Sequence, residues 1–148
     1  MKKIKVAING AGRIGRAFIK VAHERKEIEV VAINDLGNIE NIAYLLKYDT
    51  AYGVTPFDVT VGDDKKSLVI DGKTVQYFSE KEPSALPWGD LGIDVVVEST
   101  GLFTSFESAK VHITAGAKRV VITAPAKDEA PADGATILMG INEEKFDH

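Results

Sequence analysis

The chain has 148 residues, of which 45% are hydrophobic and 27% charged, so its composition is that of a folded globular protein and excludes a disordered or fibrous one. Its 18 Lys and Arg residues against 22 Asp and Glu residues leave no positive surplus for binding a nucleic acid backbone. The absence of cysteine excludes disulfides, zinc–thiolate sites and thiol nucleophiles. No apolar run approaches the roughly 18 residues of a membrane helix or has the form of a signal peptide, so we expect a cytoplasmic protein without a membrane partner.

The first part of the chain predicts a strand, a helix and a second strand. Residues 3–8 form a short segment that is rich in β-branched residues and is followed by Asn9 and Gly10. From Arg13 onward, apolar residues recur at helical spacing. Residues 29–34 are apolar almost throughout, as in a strand that is covered on both faces of a parallel sheet. The order strand, helix, strand predicts a βαβ unit.

The middle of the chain predicts a small antiparallel excursion. A helix is expected at residues 41–48, and Asp71 with Gly72 gives a strong two-residue hairpin signal. Three short strand-like runs accompany this turn, at residues 57–61, 67–70 and 74–78.

The last third predicts a return to alternating strands and helices. A helix is expected at residues 106–116, and Thr104 with Glu107 has the spacing of a capping box at its start. Strands are expected at residues 93–98, 119–123 and 136–139. Because right-handed crossovers place helices on both faces of a sheet, the whole pattern predicts an α/β fold with a Rossmann-type, doubly wound, mostly parallel sheet.

A glycine motif stands between the first strand and the first helix. Gly10, Gly12 and Gly15 have the G-x-G-x-x-G spacing, which permits a tight turn, close approach of a pyrophosphate and close packing of helix on sheet. A reading in which these glycines serve turns alone remains an alternative. A nucleoside triphosphate P-loop is disfavoured, because Arg16 and Ala17 replace the required lysine and hydroxyl.

Asp35 ends the second predicted strand, 20 residues after Gly15, where a carboxylate can accept hydrogen bonds from an adenosine ribose. A carboxylate there would repel a 2′-phosphate, so we expect NAD to be preferred over NADP. His23 is expected on the solvated face of its helix, and His112 is expected in packing or at the surface. No His pair has metal-binding spacing, so no metal site is predicted.

Several separate segments, in the same order, resemble the N-terminal half of the glyceraldehyde-3-phosphate dehydrogenase family, a pattern shared with erythrose-4-phosphate dehydrogenases. They are Ile-Asn-Gly-Ala-Gly-Arg-Ile-Gly-Arg (8–16), Ala-Ile-Asn-Asp (32–35), Leu-Lys-Tyr-Asp (46–49), Trp-Gly (88–89), Glu-Ser-Thr-Gly-Leu-Phe (98–103), Gly-Ala-Lys-Arg-Val (116–120) and Gly-Ile-Asn (140–142).

The resemblance implies a bound NAD. The backbone of Arg13 and Ile14 would contact its pyrophosphate, and the backbone of Lys81 would lie near the adenine, although the family usually has arginine there. Thr123, where serine is usual, would lie beside the nicotinamide. The full set of implied cofactor-binding residues is Asn9, Gly10, Gly12, Arg13, Ile14, Gly15, Asn34, Asp35, Lys81, Ser99, Thr100, Gly101 and Thr123.

The resemblance also implies a parent enzyme, a homotetramer in which a cysteine thiolate attacks an aldehyde and a hydride passes to NAD. In the family this cysteine follows shortly after the Gly140 segment, so residues 1–148 are expected to be an NAD-binding domain without the catalytic domain, without a catalytic residue and without activity of its own. A free-standing NAD-binding module that acts with a partner chain, or the cofactor half of an erythrose-4-phosphate dehydrogenase, are the alternatives.

Overall fold

The computed structural model describes residues 2–146 and contains nine strands and five α-helices in that part of the chain. The strands are β1 (Ile4–Asn9), β2 (Ile28–Asn34), β3 (Tyr48–Asp49), β4 (Gly53–Val54), β5 (Val59–Val61), β6 (Ser67–Ile70), β7 (Lys73–Phe78), β8 (Val95–Glu98) and β9 (Arg119–Ile122). The helices are α1 (Arg13–His23), α2 (Ile39–Lys47), α3 (Trp88–Leu91), α4 (Phe106–Ala109) and α5 (Val111–Thr114), with 3₁₀ turns at Pro83–Ala85 and Glu143–Lys145.

Seven strands form one sheet in the order β5-β6-β7-β2-β1-β8-β9, and β3 and β4 form a separate antiparallel pair. β1 pairs in parallel with both β2 and β8, and β8 pairs in parallel with β9. The predicted Rossmann-type, mostly parallel sheet is confirmed. The antiparallel excursion is continuous with it, because β7 pairs in parallel with β2 and carries β6 and β5 outward.

Apolar residues alternate between the two faces of the sheet and create a core on each. Val6 and Ile8 of β1 belong to a cluster that includes residues of α1 and α2, whereas Ala7 belongs to a cluster around Trp88 on the other face. This alternation follows from the two-residue period of a strand. The sheet is therefore covered on both sides, and the buried polar residues of its strands lie at strand ends.

The predicted hairpin turn is confirmed at Asp71 and Gly72, where both residues have positive φ (45° and 75°). This is the geometry of a type I′ turn, whose twist matches that of the flanking strands. His23 at the end of α1 contacts the same turn: its Nε2 lies 3.0 Å from Asp71 Oδ2. Its ring also packs on Phe57, with centroids 4.2 Å apart. His23 is thus exposed, as predicted, and also has contacts within the protein.

The strand predicted at residues 136–139 is wrong, since the structure has irregular backbone there. The Asn142 side chain occupies hydrogen-bonding groups that a neighbouring strand would use: its Oδ1 accepts from the Leu138 N–H at 2.6 Å and its Nδ2 donates to the Thr136 carbonyl at 3.0 Å. Leu138 and Met139 are exposed. A short apolar run without a pairing partner does not become a strand.

The helix predicted at residues 106–116 is divided into α4 and α5 at Lys110. Its N-cap is Ser105, whose Oγ accepts from the Ser108 N–H, and not Thr104, whose carbonyl accepts from Lys127. The two short helices are held by different tertiary contacts: the Asp128 carboxylate accepts from the first N–H groups of α4, whereas a side chain of α5 is bonded in the core. In the described part of the chain, no helix has the length and apolar composition needed to cross a bilayer.

Candidate functional site

A groove of about 250 Å³ opens at the carboxyl ends of the parallel strands. It lies over the end of β1, whose neighbours in the sheet are β2 on one side and β8 on the other. This is the position at which strand order reverses, where open α/β sheets bind their ligands. Eight of the residues predicted for the cofactor site line it: Asn9, Gly10, Gly12, Asn34, Asp35, Lys81, Ser99 and Thr100.

A larger and shallower cavity of about 600 Å³ lies at the opposite, amino end of the sheet. Its lining is made largely of lysine side chains together with Glu29 and Asp94. We place the functional site at the smaller groove, because the glycine loop and the ends of three parallel strands converge there.

The glycine loop is packed tightly against the protein at Gly10 and Gly15 and borders open space at Gly12. Gly10 has φ +93°, and a Cβ on it would lie 2.8 Å from the Thr100 nitrogen. A Cβ on Gly15 would lie 2.1 Å from the Gly10 carbonyl oxygen. At Gly12, in contrast, a Cβ would meet no described atom within 4 Å. Two of the glycines are thus required by the protein's own packing, and the third borders free space.

That free space lies at the start of α1. Gly12 is its N-cap, and in the described structure the helix has no side-chain cap and no acidic residue in its first turn. The backbone N–H groups of the first turn and the positive end of the helix dipole therefore remain available to an anion. An open glycine cradle at an uncapped helix start fits the diphosphate of a dinucleotide.

Asp35 is fixed beside this cradle. Its Oδ2 accepts from the Ala11 N–H at 2.7 Å and its Oδ1 from the Gly37 N–H at 2.8 Å. Tyr77 supports the same loop by donating its hydroxyl to the Gly37 carbonyl at 2.8 Å. Burial, and then the charge of Asp35, raise the pKa of Tyr77, so this hydroxyl stays protonated. Each Asp35 oxygen keeps acceptor capacity for a ribose hydroxyl.

A chain of buried side chains runs beneath the groove, across the ends of the strands. Asn34 is anchored by the backbone of Glu80, which donates to its Oδ1 and accepts from its Nδ2. The Asn34 Nδ2 also donates to Asn9 Oδ1 at 2.7 Å, and Asn9 Nδ2 donates to Glu98 Oε2 at 2.6 Å. Because the Glu80 N–H can only donate, the orientation of both amides is determined.

Glu98 is 2% exposed and receives four hydrogen bonds. Oε2 accepts from Asn9 and from His112 Nε2, and Oε1 accepts from the backbone N–H and the hydroxyl of Thr100. Burial raises the pKa of Glu98, but the hydrogen bonds from His112, Asn9 and Thr100 outweigh it, and the pKa is lowered below its ordinary value. A buried carboxylate, kept ionised by its hydrogen bonds, therefore lies beneath the groove.

The other residues predicted for the site lie around the groove without lining it. Arg13 and Ile14 are exposed in the first turn of α1, and Gly101 is exposed with φ +76°. Thr123 follows β9, and both its N–H and its hydroxyl donate to the Glu98 carbonyl, at 3.1 and 3.0 Å. Their contacts with a cofactor stay predictions.

The Glu98 network is the feature that sequence reasoning missed. The sequence singles out Glu98 only as part of the Glu-Ser-Thr-Gly-Leu-Phe segment (98–103), and it predicts His112, which is 0% exposed, in packing or at the surface. A signal was present, because Asn9, Asn34 and Glu98 each end a strand in which the three residues immediately before them are apolar. Polar residues at these positions meet at one edge of a parallel sheet.

Comparison with known proteins agrees with this geometry. Residues 4–106 match the family model described as "Glyceraldehyde 3-phosphate dehydrogenase, NAD binding domain". The chain is 50% identical over 144 residues to the glyceraldehyde-3-phosphate dehydrogenase of Thermotoga maritima, which covers 96% of this chain and 41% of the relative. It is 48% identical over 145 residues to that of Streptomyces coelicolor, covering 97% and 41%.

A chloroplastic relative is equally similar. The glyceraldehyde-3-phosphate dehydrogenase A of Nicotiana tabacum is 48% identical over 147 residues, covering 97% of this chain and 36% of the relative. The chain thus spans about two fifths of the length of the curated relatives that it matches.

Proposed function

We propose that this chain serves as the cofactor-binding part of an NAD-dependent oxidoreductase of glycolysis, because it belongs to the family of glyceraldehyde 3-phosphate dehydrogenase NAD-binding domains. The parent reaction would convert an aldehyde to an acyl phosphate, in which NAD supplies the hydride acceptor. The observation that carries the proposal is the open cradle at Gly12 beside the fixed Asp35 carboxylate.

The residues of the groove and of the first turn of α1 support a division of roles in holding NAD. The loop from Gly10 to Gly15, with the backbone N–H groups of Arg13 and Ile14, would bind the diphosphate. Asp35 would accept hydrogen bonds from the adenosine ribose, and its charge disfavours a 2′-phosphate at that position. Lys81 would lie near the adenine, with Asn34 beside it through its hydrogen bonds to the Glu80 backbone. Ser99, Thr100, Gly101 and Thr123 would form the nicotinamide side, and Asn9, bonded to Asn34, would lie between the two.

We assign residues 1–148 to this one domain and place no catalytic residue in it. The parent reaction as implied by the family resemblance needs a thiolate nucleophile, and the chain has no cysteine. Purified chain mixed with NAD, phosphate and glyceraldehyde 3-phosphate is therefore expected to form no NADH. Stoichiometric NADH formation would contradict this assignment.

Erythrose-4-phosphate as the parent substrate, and a free-standing module acting with a partner chain, remain the competing proposals. The homotetrameric parent and its cytoplasmic location are also proposals, and chloroplastic relatives match as well as bacterial ones. Adding in trans the part of a relative that this chain does not span, and measuring activity with each aldehyde phosphate, distinguishes the substrates.

The cofactor proposal is tested by titration calorimetry of the chain with NAD and with NADP. Saturable NAD binding that is tighter than NADP binding is expected. Equal affinity for the two cofactors would overturn the role of Asp35, and no binding of either would overturn the cofactor site as a whole.

A further inference from the structure

The indole of Trp88 determines the protonation state of the buried His112. Trp88 Nε1 lies 3.1 Å from His112 Nδ1, and an indole N–H can only donate a hydrogen bond. His112 Nδ1 must therefore be the unprotonated nitrogen. The proton of the neutral ring is then on Nε2, which lies 2.7 Å from Glu98 Oε2 and donates to it.

This arrangement makes Glu98 the common acceptor of two converging series of donors. From one side, Asn9 donates to Oε2 at 2.6 Å; from the other, Trp88 donates to His112 and His112 donates to the same oxygen. Both donors to Oε2 lie in regular secondary structure, Asn9 in β1 and His112 in α5. The direction of the Glu98 carboxylate is consequently fixed, including its second oxygen.

That second oxygen shapes the wall of the groove. Oε1 accepts from the Thr100 N–H at 2.9 Å and from the Thr100 hydroxyl. The Thr100 hydroxyl oxygen in turn accepts from the Leu102 N–H at 3.0 Å. Thr100 and Leu102 both line the groove, so the orientation of one buried carboxylate sets the conformation of the turn that the cofactor would contact.

We propose that His112 is a positioning residue for the NAD site: held in its neutral Nε2–H form by Trp88, it orients Glu98, which fixes the turn from Thr100 to Leu102. The inference rests on the proposed NAD site at the groove. It requires His112 both to accept a hydrogen bond and to donate one, and so it differs from a packing role, for which volume and apolar character suffice.

The test compares two substitutions of His112 in the chain. His112→Gln can still accept from Trp88 and donate to Glu98, whereas His112→Leu fills a similar volume and can do neither. We expect His112→Leu to weaken NAD binding about tenfold in calorimetry, the effect of losing a hydrogen bond to a carboxylate, while His112→Gln retains most of the affinity. His23→Leu, far from the groove in its pairing with Asp71, is the matched control and should bind as the parent chain does.

Equal affinity of His112→Leu and the parent chain would overturn the proposal, and so would equal losses in the Leu and Gln variants. Trp88→Phe is the second variant, because it removes the indole N–H that donates to His112 Nδ1. It also keeps the proposal testable if His112→Leu does not fold. Nitrogen-15 NMR of the parent chain should show His112 in the neutral Nε2–H form, and Trp88→Phe should lose this single form. A ring protonated on Nδ1 in the parent chain would contradict the assignment.

Hydrogen exchange separates this proposal from the cofactor proposal, because it needs no ligand. The Thr100 and Leu102 amides should exchange faster in Trp88→Phe and His112→Leu than in the parent chain, with amides of β6 and β7 unchanged. Unchanged exchange at Thr100 would overturn the positioning role even if NAD binds. Faster exchange in a chain that binds no NAD would support the positioning of the turn and refute only the cofactor site.

Discussion

Strand β8 has a carboxylate at each end, and the two are held in opposite ways. Asp94, just before the strand, accepts from Lys118 Nζ at 2.6 Å and from the Lys5 N–H at 2.9 Å in an environment open to water. Glu98, at the last position, is buried and accepts from neutral donors.

The pKa of both carboxyl groups is lowered, but the causes differ. For Asp94 the causes are foremost the hydrogen bond from the Lys118 ammonium and then the Lys5 backbone N–H. For Glu98, hydrogen bonds from His112, Asn9 and Thr100 overcome the opposing effect of burial. When a surface ion pair is broken, water replaces the lost partner at little cost. The buried Glu98 carboxylate has no water to replace a lost hydrogen-bond donor, so losing one costs more. The end of the sheet that forms the groove is therefore the sensitive one.

The contrast between Glu98 and Asp94 predicts the largest difference in the free energy of unfolding when each carboxylate is replaced by an amide. Glu98→Gln places an NH₂ group where donors converge and should lower the free energy of unfolding by about 3 kcal/mol. Asp94→Asn should lower it by less than about 1 kcal/mol, because Lys118 is largely solvated. Urea unfolding of the two variants beside the parent chain measures both. Similar losses would break the contrast between the two ends.

Two glycines of the groove sharpen the comparison further. Gly15→Ala should destabilise the fold by about 2 kcal/mol, because its Cβ would lie 2.1 Å from a carbonyl oxygen. Gly12→Ala should lower the free energy of unfolding by less than about 1 kcal/mol, since its Cβ meets no described atom and its φ of −70° suits any residue, although alanine is a poorer N-cap than glycine. Its NAD affinity should nevertheless fall about tenfold, because the methyl group occupies the diphosphate cradle.

Urea unfolding and NAD calorimetry on both glycine variants separate packing from binding. A Gly12→Ala chain that binds NAD normally would show that the diphosphate lies elsewhere. A Gly15→Ala chain with the stability of the parent would show that α1 can shift away from the Gly10 carbonyl.

Asp35→Ala should reduce NAD affinity about tenfold through loss of ribose hydrogen bonds, and should narrow the preference for NAD over NADP by removing a repulsive charge. Asp94→Asn, at the far end of the sheet, is the control for a general effect of charge. Calorimetry with both cofactors gives the two ratios. An unchanged ratio in Asp35→Ala would assign the preference to another group.

The pH dependence of stability follows from the lowered pKa of Glu98. Since the folded pKa of Glu98 is lowered below 4.5, its contribution is fully present above pH 4.5 and is lost as the pH falls through the folded pKa. The difference in unfolding free energy between the parent chain and Glu98→Gln should thus be constant above this pH and shrink below it.

Salt distinguishes the two carboxylates under the same conditions. High ionic strength should remove most of the small Asp94 contribution and leave that of Glu98, because a buried group is screened much less than an exposed pair. Urea unfolding in low and high salt measures both contributions. An equal response to salt would contradict the burial-based distinction.

The parts of the fold that sequence predicted are those set by local pattern. The Gly10 to Gly15 loop, the helix after it and the Asp71-Gly72 turn each depend on neighbouring residues whose backbone requirements are visible in the sequence. Asp35 was found because its spacing from the glycines is fixed by one helix and one strand.

The rest depends on contacts between distant residues. Asn9 and His112 are 103 residues apart, and no local rule says that His112 faces a carboxylate and an indole. Residues 136–139 were predicted as a strand because their apolar run fits one, but strand formation needs a partner that composition does not reveal. The capping position was misplaced by one residue because Thr104 and Ser105 both suit it, and tertiary bonds to Lys127 and Asp128 decided between them.

The seven-stranded sheet also tapers toward its margins. Its inner strands β1, β2 and β7 have six or seven residues, whereas the outer strands β5 and β9 have three and four. In the described part of the chain, Arg119 is the first residue of β9, and Asp63 and Asp64 follow shortly after β5, so a charged residue stands beside each outer strand. Short, charged margins are poor templates for a neighbouring copy to add a strand. The longest strands, β1, β2 and β7, each have a neighbouring strand on both sides, so they do not form an edge to which a second copy could add a strand.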